Sequence, residues 1–374
     1  MPNLIDTPKL AFGCMRLPLL DERDESKIDV DYLKEMVDAF LEGGGTYFDT
    51  AYVYHKGKSE GALHEALVKR HPRESYTIAT KCLAWAQPDE ASAKACLDTS
   101  LQRLGVDYVD YYLLHNVGGA RTAKFDDYGM WDWAQEMKAA GKIRHVGLSM
   151  HDGPQCLEEL LTKHPEMEFV QLQINYLDWE SPVTQARKNL EVARAHNKPV
   201  IVMEPCRGGR LANLPSKVEA PLRAAQPSLS IPSWAYRFCY NLEGVATVLA
   251  GMSTLDQVKQ NVKEWSNAGG PFSEEEQQAL NEARSILEQM ANVPCTNCRY
   301  CIKGCPQNIA IPEAINLLNL ESQTKNNEFA KDLYSWQVVP GKAGQCIECG
   351  ACEAMCPQSI DIINQMKTAA EHFE

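Results

Sequence analysis

Residues 46–81 read TYFDTAYVYHKGKSEGALHEALVKRHPRESYTIATK. Two short runs, Thr46–Asp49 and Tyr76–Lys81, bracket a helix-forming stretch, Ser59–Lys69. The runs are rich in Tyr, Phe, Ile and Thr and lack strict polar–apolar alternation, as strands covered on both faces do. Strand, helix and strand in this order form a parallel crossover unit.

The unit recurs in both directions. Further strand candidates are Lys9–Met15, Tyr108–His115, Arg144–Ser149, Phe169–Asn175, Pro199–Glu204 and Ala246–Gly251, which makes eight. Helix candidates alternate with them: Val30–Leu41, Ala91–Leu104, Met130–Ala140, Cys156–Lys163, Val183–Ala195, Ser233–Tyr240 and Leu255–Trp265. Eight alternations over roughly 250 residues predict an α/β fold, a (β/α)8 TIM barrel. A doubly wound sheet is the competing arrangement. It usually carries G-x-G-x-x-G after an early strand, and this chain has none there.

The pattern breaks at Asn267-Ala268-Gly269-Gly270-Pro271, so residues 1–270 are assigned to the barrel and 271–374 to a second domain. Ser273 with Glu276 forms a capping box for a helix running to about Met290. Two cysteine runs follow. Cys295, Cys298, Cys301 and Cys305-Pro306 repeat as Cys346, Cys349, Cys352 and Cys356-Pro357. Thiolates spaced C-x2-C-x2-C reach three corners of one cubane, and the cysteine before proline ligates the other cluster. The runs therefore predict two [4Fe–4S] clusters. Cys295, Cys298, Cys301 and Cys356 hold one; Cys346, Cys349, Cys352 and Cys305 hold the other. A zinc knuckle or a disulfide framework is the weaker alternative. The forty residues between the runs carry helix candidates Ile311–Leu320 and Asn327–Trp336, so the domain should be mainly helical, a widened dicluster ferredoxin-like module.

Eight of fourteen cysteines lie in the runs, and the rest are scattered, as buried thiols of a reducing compartment are. The N-terminus shows no basic segment followed by an apolar run, and no stretch of eighteen apolar residues occurs. A cytoplasmic protein without a membrane span is expected. The formal net charge of −13 becomes about −17 once eight thiolates and two 2+ cluster cores are counted. Such a surface disfavours nucleic acid and does not oppose a basic protein partner.

Polar residues at the C-terminal ends of barrel strands are the catalytic candidates. Asp49, Lys81 and His115 end the second, third and fourth strands, and Tyr54 lies in the loop after Asp49. A buried lysine beside a carboxylate would favour the tyrosine phenolate and make it a proton donor or acceptor near neutral pH. Singly, each residue has a plainer role: a helix cap, a core histidine, a snorkelling lysine. Trp85, Tyr128, Trp131, Trp133 and Trp179 lie in or beside loops that follow strands, where an aromatic substrate pocket and simple loop packing are equally good readings.

From about Leu10 to Trp265 the chain resembles the aldo-keto reductase family. The resemblance rests on Phe48-Asp49-Thr50-Ala51-x-x-Tyr54 with Gly57-x-Ser59-Glu60, and on Ser100-Leu101-x-Arg103-Leu104-Gly105-x-Asp107-Tyr108-x-Asp110 with Leu113-Leu114-His115. Gly141-Lys142-Ile143-Arg144-x-x-Gly147-x-Ser149 is the third matching stretch. It implies an enzyme that moves hydride directly between NADP or NAD and a small-molecule carbonyl or alcohol. Tyr54 would be the acid or base, Lys81 and Asp49 would tune it, and His115 would orient the carbonyl. It further implies nucleotide contacts at Ser149, Gln171 and Asn175 for the carboxamide, Arg207 and Gly208 near the pyrophosphate, and Gly251, Ser253, Gln257 and Asn261 near the adenosine end. Four positions depart from the family pattern: His55 replaces a glycine, Met150 an asparagine, and Met203 a stacking tyrosine, while no arginine appears around Ser253–Gln257.

Hydride chemistry moves two electrons and a cluster moves one; a flavin bridges the two modes, and a barrel can bind FMN without a short motif. Four functions follow. In the first, an oxidoreductase uses NAD(P)H in the barrel, and its clusters relay electrons to or from a redox protein. In the second, an iron–sulfur reductase, with or without a flavin, dispenses with nicotinamide. In the third, the clusters are structural and the enzyme is an ordinary reductase. In the fourth, an electron-transfer protein uses its barrel as a scaffold. The complete tetrad argues against the fourth, and the first is preferred.

Overall fold

The computed structural model describes residues 7–21, 24–181, 184–266, 270–290, 293, 295, 299–324, 327–338, 341–356 and 358–374. Cys298, Pro357, Val183 and most of the 267–271 break lie outside them.

All eight expected strands form: β1 (Leu10–Gly13), β2 (Tyr47–Asp49), β3 (Thr77–Cys82), β4 (Val109–Val117), β5 (Ile143–Met150), β6 (Phe169–Gln173), β7 (Val200–Met203) and β8 (Val245–Gly251). They pair in parallel in sequence order, and β8 closes on β1. The interior is filled by mixing small and large side chains. Ala11 and Ala79 leave room for Tyr47 and Tyr111, whose rings lie 5.1 Å apart. Outside the sheet, Phe12, Phe40 and Phe48 form a three-ring cluster with centroids 5.3–5.5 Å apart. It seals β1 and β2 against helix Val30–Glu42, which Asp29 caps by accepting the Tyr32 N–H.

One glycine fixes the site's geometry. A Cβ on Gly147 would lie 2.6 Å from the Phe169 carbonyl oxygen, so only glycine lets β5 and β6 approach there. Two residues on, Ser149 is the register partner of Gln171.

The helices follow their periodicity with two corrections. Ser59–Lys69 is an α-turn, Ser59–Leu63, that widens to a π-turn, His64–Val68. Such widened turns gather near functional sites. The described part of Val183–Ala195 is helical only from Ala186. Two helices of ten or more residues are additional to the sequence reading. Pro221 disguises Ser216–Ala225. Ile362–Phe373 is capped by Asp361 and buries Ile362, Met366, Ala369 and Phe373 on one face.

The chain resolves into two compact units. The first comprises 1–208 and 233–271, the barrel. The second comprises 272–374 together with an excursion, 209–232, from within the first 270 residues. Helix Ser216–Ala225 packs on helix Glu274–Gln289, and Gln226 Nε2 reaches Glu276 Oε1 at 3.5 Å. The capping box of Ser273 and Glu276 is present. The second unit is mainly helical, built on Glu274–Gln289, Ile311–Thr324, Asn327–Gln337 and Ile362–Phe373. Among the described residues no helix is long and apolar enough to cross a membrane.

The second unit contains an internal repeat. Cys305-Pro306-Gln307-x-Ile309-x-Ile311 recurs 51 residues later as Cys356-Pro357-Gln358-x-Ile360-x-Ile362. The backbone repeats with it. Asn308 and Ser359 are both left-handed, with φ of 51° and 50°. Their N–H groups donate to Cys305 O and Cys356 O, each at 3.1 Å. A long helix starts at Ile311 in one copy and at Ile362 in the other.

Candidate active site and cluster sites

The first cluster of functional side chains sits at the C-terminal ends of β2, β3 and β4. Lys81 is fully buried, a costly place for an ammonium unless it is paired. Its Nζ donates to Asp49 Oδ1 at 2.5 Å, Thr50 O at 2.7 Å and Tyr54 Oη at 3.2 Å. These three acceptors account for all its protons. His115 completes the group, its ring 6.1 Å from that of Tyr54 and edge-on to it.

The motif residues around this group hold it in place. Thr50 Oγ1 and Ser59 Oγ are 2.9 Å apart, and Ser59 also donates to Cys14 O at 3.1 Å. Buried Glu60 accepts from Thr80 Oγ1 at 2.7 Å and Arg103 Nη1 at 3.2 Å. Arg103 also donates to Tyr52 O, at 3.0 Å. The loop that carries Tyr54 is thus tied to β3 and to helix Glu90–Leu104. Asp110 plays the same part at β3–β5, accepting from Arg73, the Ile78 N–H and Arg144 at 2.6–2.9 Å.

His55 shows what replaces the family glycine. His55 and Lys56 both have φ of 53°, a left-handed conformation that costs a non-glycine residue roughly 1–2 kcal/mol. The buried imidazole offsets that cost by bridging. Its Nε2 accepts the Leu17 N–H at 3.2 Å, which leaves Nδ1 as the donor to Glu25 O at 2.7 Å. The β1 loop is thereby fastened to the residue after Tyr54.

Electrostatics assigns protonation states. Burial alone would lower the Lys81 pKa; Asp49 and Tyr54 outweigh it and hold the ammonium charged. Burial raises Tyr54 above the ordinary phenol value, with Lys81 opposing. This corrects the expectation of a phenol poised near neutrality, because desolvation exceeds the pull of the lysine. In the resting protein Tyr54 is a protonated acid. Burial, with Lys81 and His151 adding, pushes His115 well below 6.5, so its imidazole is neutral.

A second group lies on β5 and β6. Ser149 Oγ accepts the Asn116 N–H at 2.9 Å, which leaves the hydroxyl proton to donate. On the paired strand, buried Gln171 has Nε2 3.7 Å from Met203 Sδ, and its Oε1 has no partner. A hydroxyl donor beside an orphaned amide acceptor complements a carboxamide, whose oxygen accepts and whose nitrogen donates. Ser149 and Gln171 fit a nicotinamide.

The other expected nucleotide contacts separate. Asn175 is fully engaged: Nδ2 donates to Asp178 Oδ2 at 2.8 Å, and Oδ1 accepts from the backbone of Leu177 and Asp178. Arg207 pairs with buried Asp178 at 3.3 Å, a strap between the loops after β6 and β7. Asn261 is buried and bonded to Tyr236. Gln257 Oε1 accepts the Ser253 N–H at 2.7 Å and so organises the turn before helix Leu255–Ser266. Gly208 and Gly251 share a neighbour that sequence reading missed. The guanidinium of exposed Arg16 lies 3.2 Å from where a Gly208 Cβ would be, and its stem lies at the same distance from a Gly251 Cβ. Ser253 Oγ donates to Arg16 O at 2.9 Å. Among the described residues no carboxylate pairs with Arg16, so a free cation stands over both glycines. Its signal was local, since Arg16 follows β1 at the C-terminal end, but it lies far in sequence from the loops it serves.

The aromatic rim is mostly packing. Trp131 stacks on His164 at 3.7 Å and Trp133 lies edge-on to Tyr112 at 6.0 Å, both on the inner face of helix Met130–Ala139. Trp179 packs on Phe238 at 5.3 Å, and Tyr128 Oη lies 3.4 Å from the carbonyls of Gln87 and Pro88. Trp85 alone touches the tetrad, donating from Nε1 to His115 O at 3.3 Å.

In the second unit, two cavities take the cysteines in the crossed arrangement. One is lined by Cys346, Cys349, Cys352 and Cys305. The other is lined by Cys295, Cys301 and Cys356. Each therefore draws its last thiol from the other run, and Ile311 belongs to both walls. Thiolates lining apolar pockets are the donor set that [4Fe–4S] clusters take.

A parallel barrel that gathers Asp49, Tyr54, Lys81 and His115 at one end, followed by a module of cysteine-lined cavities, has the make-up of a barrel oxidoreductase fused to an iron–sulfur domain. The chain belongs to the aldo/keto reductase family, which matches residues 9–285. A 4Fe-4S dicluster domain matches residues 294–360. The chain is similar to the holo form of aldo-keto reductase AKR11C1 from Bacillus halodurans, at 30% identity and a TM-score of 0.58. That likeness covers 74% of this chain and 91% of the other. A Klebsiella pneumoniae aldo-keto reductase in complex with NADPH shares the fold, with a TM-score of 0.58, 21% identity and coverage of 74% and 90%. The NADH-specific methylglyoxal reductase of Escherichia coli is 26% identical, over 60% of this chain and 81% of its own length.

Proposed function

We propose that the barrel interconverts a small carbonyl compound and an alcohol with NAD(P)H, and that the dicluster unit exchanges single electrons with a redox protein. The observation that carries the reading is Lys81, bound at once to Asp49 and Tyr54, in a barrel whose buried Gln171 Oε1 has no partner.

Bound nicotinamide supplies the hydride to the carbonyl carbon. The protein handles the oxygen. Neutral His115 offers an N–H to the carbonyl, and Tyr54 Oη gives up its proton as charge builds there. Lys81 then faces the phenolate at the distance it already holds, so no reorganisation is needed. Asp49 keeps that lysine charged and aimed. For alcohol oxidation the same atoms run in reverse, with Tyr54 as the base. Arg16 is placed to meet a phosphate of the nucleotide. Relatives include both an NADPH complex and an NADH-specific enzyme, so the reading covers both nucleotides. A flavin gains no support from these relatives. The clusters, held by the eight cysteines, supply one-electron storage.

The test is binding, then turnover. Protein with both clusters loaded should quench NADPH or NADH emission with saturation and reduce a panel of aldehydes, ketones and dicarbonyls. Failure to bind either nucleotide would overturn the barrel reading.

A further inference from the structure

The repeat in the second unit is broken in one respect, and the break distinguishes the two cluster sites. Displacing the second run back by 51 residues sets Ile347 against Thr296 and Met355 against Gly304. The second run therefore has two large apolar side chains where the first has a small polar residue and a glycine. Both are exposed, Ile347 by 56% and Met355 by 42%. Ile347 adjoins Cys346 in the chain, and Met355 adjoins Cys356 in the chain and Gly304 in space. Ile347 lines the cavity formed by Cys305, Cys346, Cys349 and Cys352. Met355 Sδ lies 2.8 Å from where a Gly304 Cβ would be, next to Cys305. Cys349, in the same loop, is the one exposed thiol among the described cysteines.

Exposed apolar side chains beside a metal ligand have a solvation cost that a docked partner removes. The surrounding charge says what kind of partner. Residues 341–374 hold five carboxylates and two lysines, one of which, Lys367, is paired with Glu348 at 2.8 Å. Four thiolates around a 2+ core add about two further negative charges. Residues 291–340, which carry the other run, hold four basic residues and four carboxylates, and Arg299, which lines that cavity, pairs with Glu313 at 2.5 Å.

We propose that Ile347, Cys349 and Met355 form the docking surface for a basic, one-electron carrier protein, with the cluster of Cys305, Cys346, Cys349 and Cys352 as the port. The inference rests on the redox-relay part of the proposed function. Apolar contact at Ile347 and Met355 brings the carrier's cofactor edge to the cluster, and the acidic surround steers and orients it. Each encounter transfers one electron; the carrier gains what the cluster loses, and no bond or proton changes.

The test is a binding measurement on protein with both clusters loaded. The probe is zinc-substituted cytochrome c, which is basic and redox-inert, titrated calorimetrically at low and at physiological ionic strength. The expected result is saturable binding that weakens steeply with salt. It should weaken at least tenfold further in Ile347→Lys/Met355→Lys, compared with the parent protein at equal iron content. The milder pair Ile347→Gln/Met355→Gln guards against a folding defect and should lose about threefold. Gln358→Lys, at the other cavity, should bind within twofold of the parent protein. Equal binding by the parent and the double lysine variant refutes the proposal. A loss confined to Gln358→Lys assigns the port to the other cluster and also refutes it. Tighter binding of an acidic ferredoxin than of the cytochrome refutes the charge argument. NADPH binding, measured on the same samples, separates failure of this surface from failure of the barrel reading.

Discussion

Replacing Lys81 by methionine should separate stability from catalysis in this barrel. The methionine fills the buried space but leaves the Asp49 carboxylate without its cation. Breaking a buried pair in this way costs about 3–5 kcal/mol. The carboxylate's escape is to take a proton, which at pH 7 costs an ordinary aspartate about 4 kcal/mol, the same range. Its folded pKa is then raised above the unfolded value, so the deficit should shrink as the pH falls from 7 towards 4. Catalysis loses a different term. At 3.2 Å and an effective dielectric near 20, the ammonium stabilises a Tyr54 phenolate by about 5 kcal/mol. Allowing for relaxation, kcat should fall about 10³-fold. Asp49→Asn/Lys81→Met removes both charges; it should regain most of the stability and none of the activity. Urea unfolding followed by tryptophan emission reports the barrel, because six of seven tryptophans precede residue 271. Steady-state carbonyl reduction reports the chemistry. If the single variant keeps kcat within tenfold, or the double variant recovers it, Lys81 is a structural counter-ion and the reasoning fails.

Other consequences are smaller. His55→Ala keeps the left-handed strain and loses the bridge to Leu17 and Glu25, whereas His55→Gly loses only the bridge; the alanine variant should be less stable by about 1 kcal/mol in urea titrations. Gln171→Leu should weaken NADPH binding about tenfold, and Arg16→Ala should weaken it and flatten its salt dependence; fluorescence titration at two ionic strengths checks both. Burial would raise Glu168, but His145, Lys138 and the Val146 N–H outweigh it and hold it at about 2. Its folded pKa lies below the unfolded value of about 4.3, so its support is complete above that pH and lost as the pH falls towards 2. Glu168→Gln should flatten the stability profile across that window.

Much of this molecule was legible from spacing. Strands buried on both faces announced themselves as uninterrupted Tyr, Val, Ile and Leu runs, and all eight formed. Asp49, Lys81 and His115 were findable because a parallel barrel puts strand ends at one mouth, so position along the chain converts directly into position in space. The cysteines were legible because cubane geometry constrains their intervals. Contacts set by tertiary packing were not. Trp131 and Trp133 look like rim aromatics until the helix around them turns them inward. Asn175 and Arg207 have the right chemistry for a nucleotide, but Asp178 engages both. Arg16 lies nearly two hundred residues from Gly208 and over two hundred from Gly251, and only barrel closure brings them together. Helix Ser216–Ala225 shows an apolar face in its sequence, at Val218 and Leu222, but nothing local says that helix Glu274–Gln289 covers it. His55 is the instructive case. A residue that breaks the family's glycine rule keeps the glycine's backbone and uses the imidazole to fasten a second loop.

The central claim is that one chain couples a nicotinamide-using barrel to two clusters. Anaerobic protein with both clusters loaded, titrated with NADPH and with NADH and followed by EPR, tests it most directly. The expected result is saturable binding of at least one nucleotide together with growth of the reduced-cluster signal, each hydride giving one electron to each cluster and its proton to solvent. Saturation of the barrel with an unchanged cluster signal would contradict the coupling.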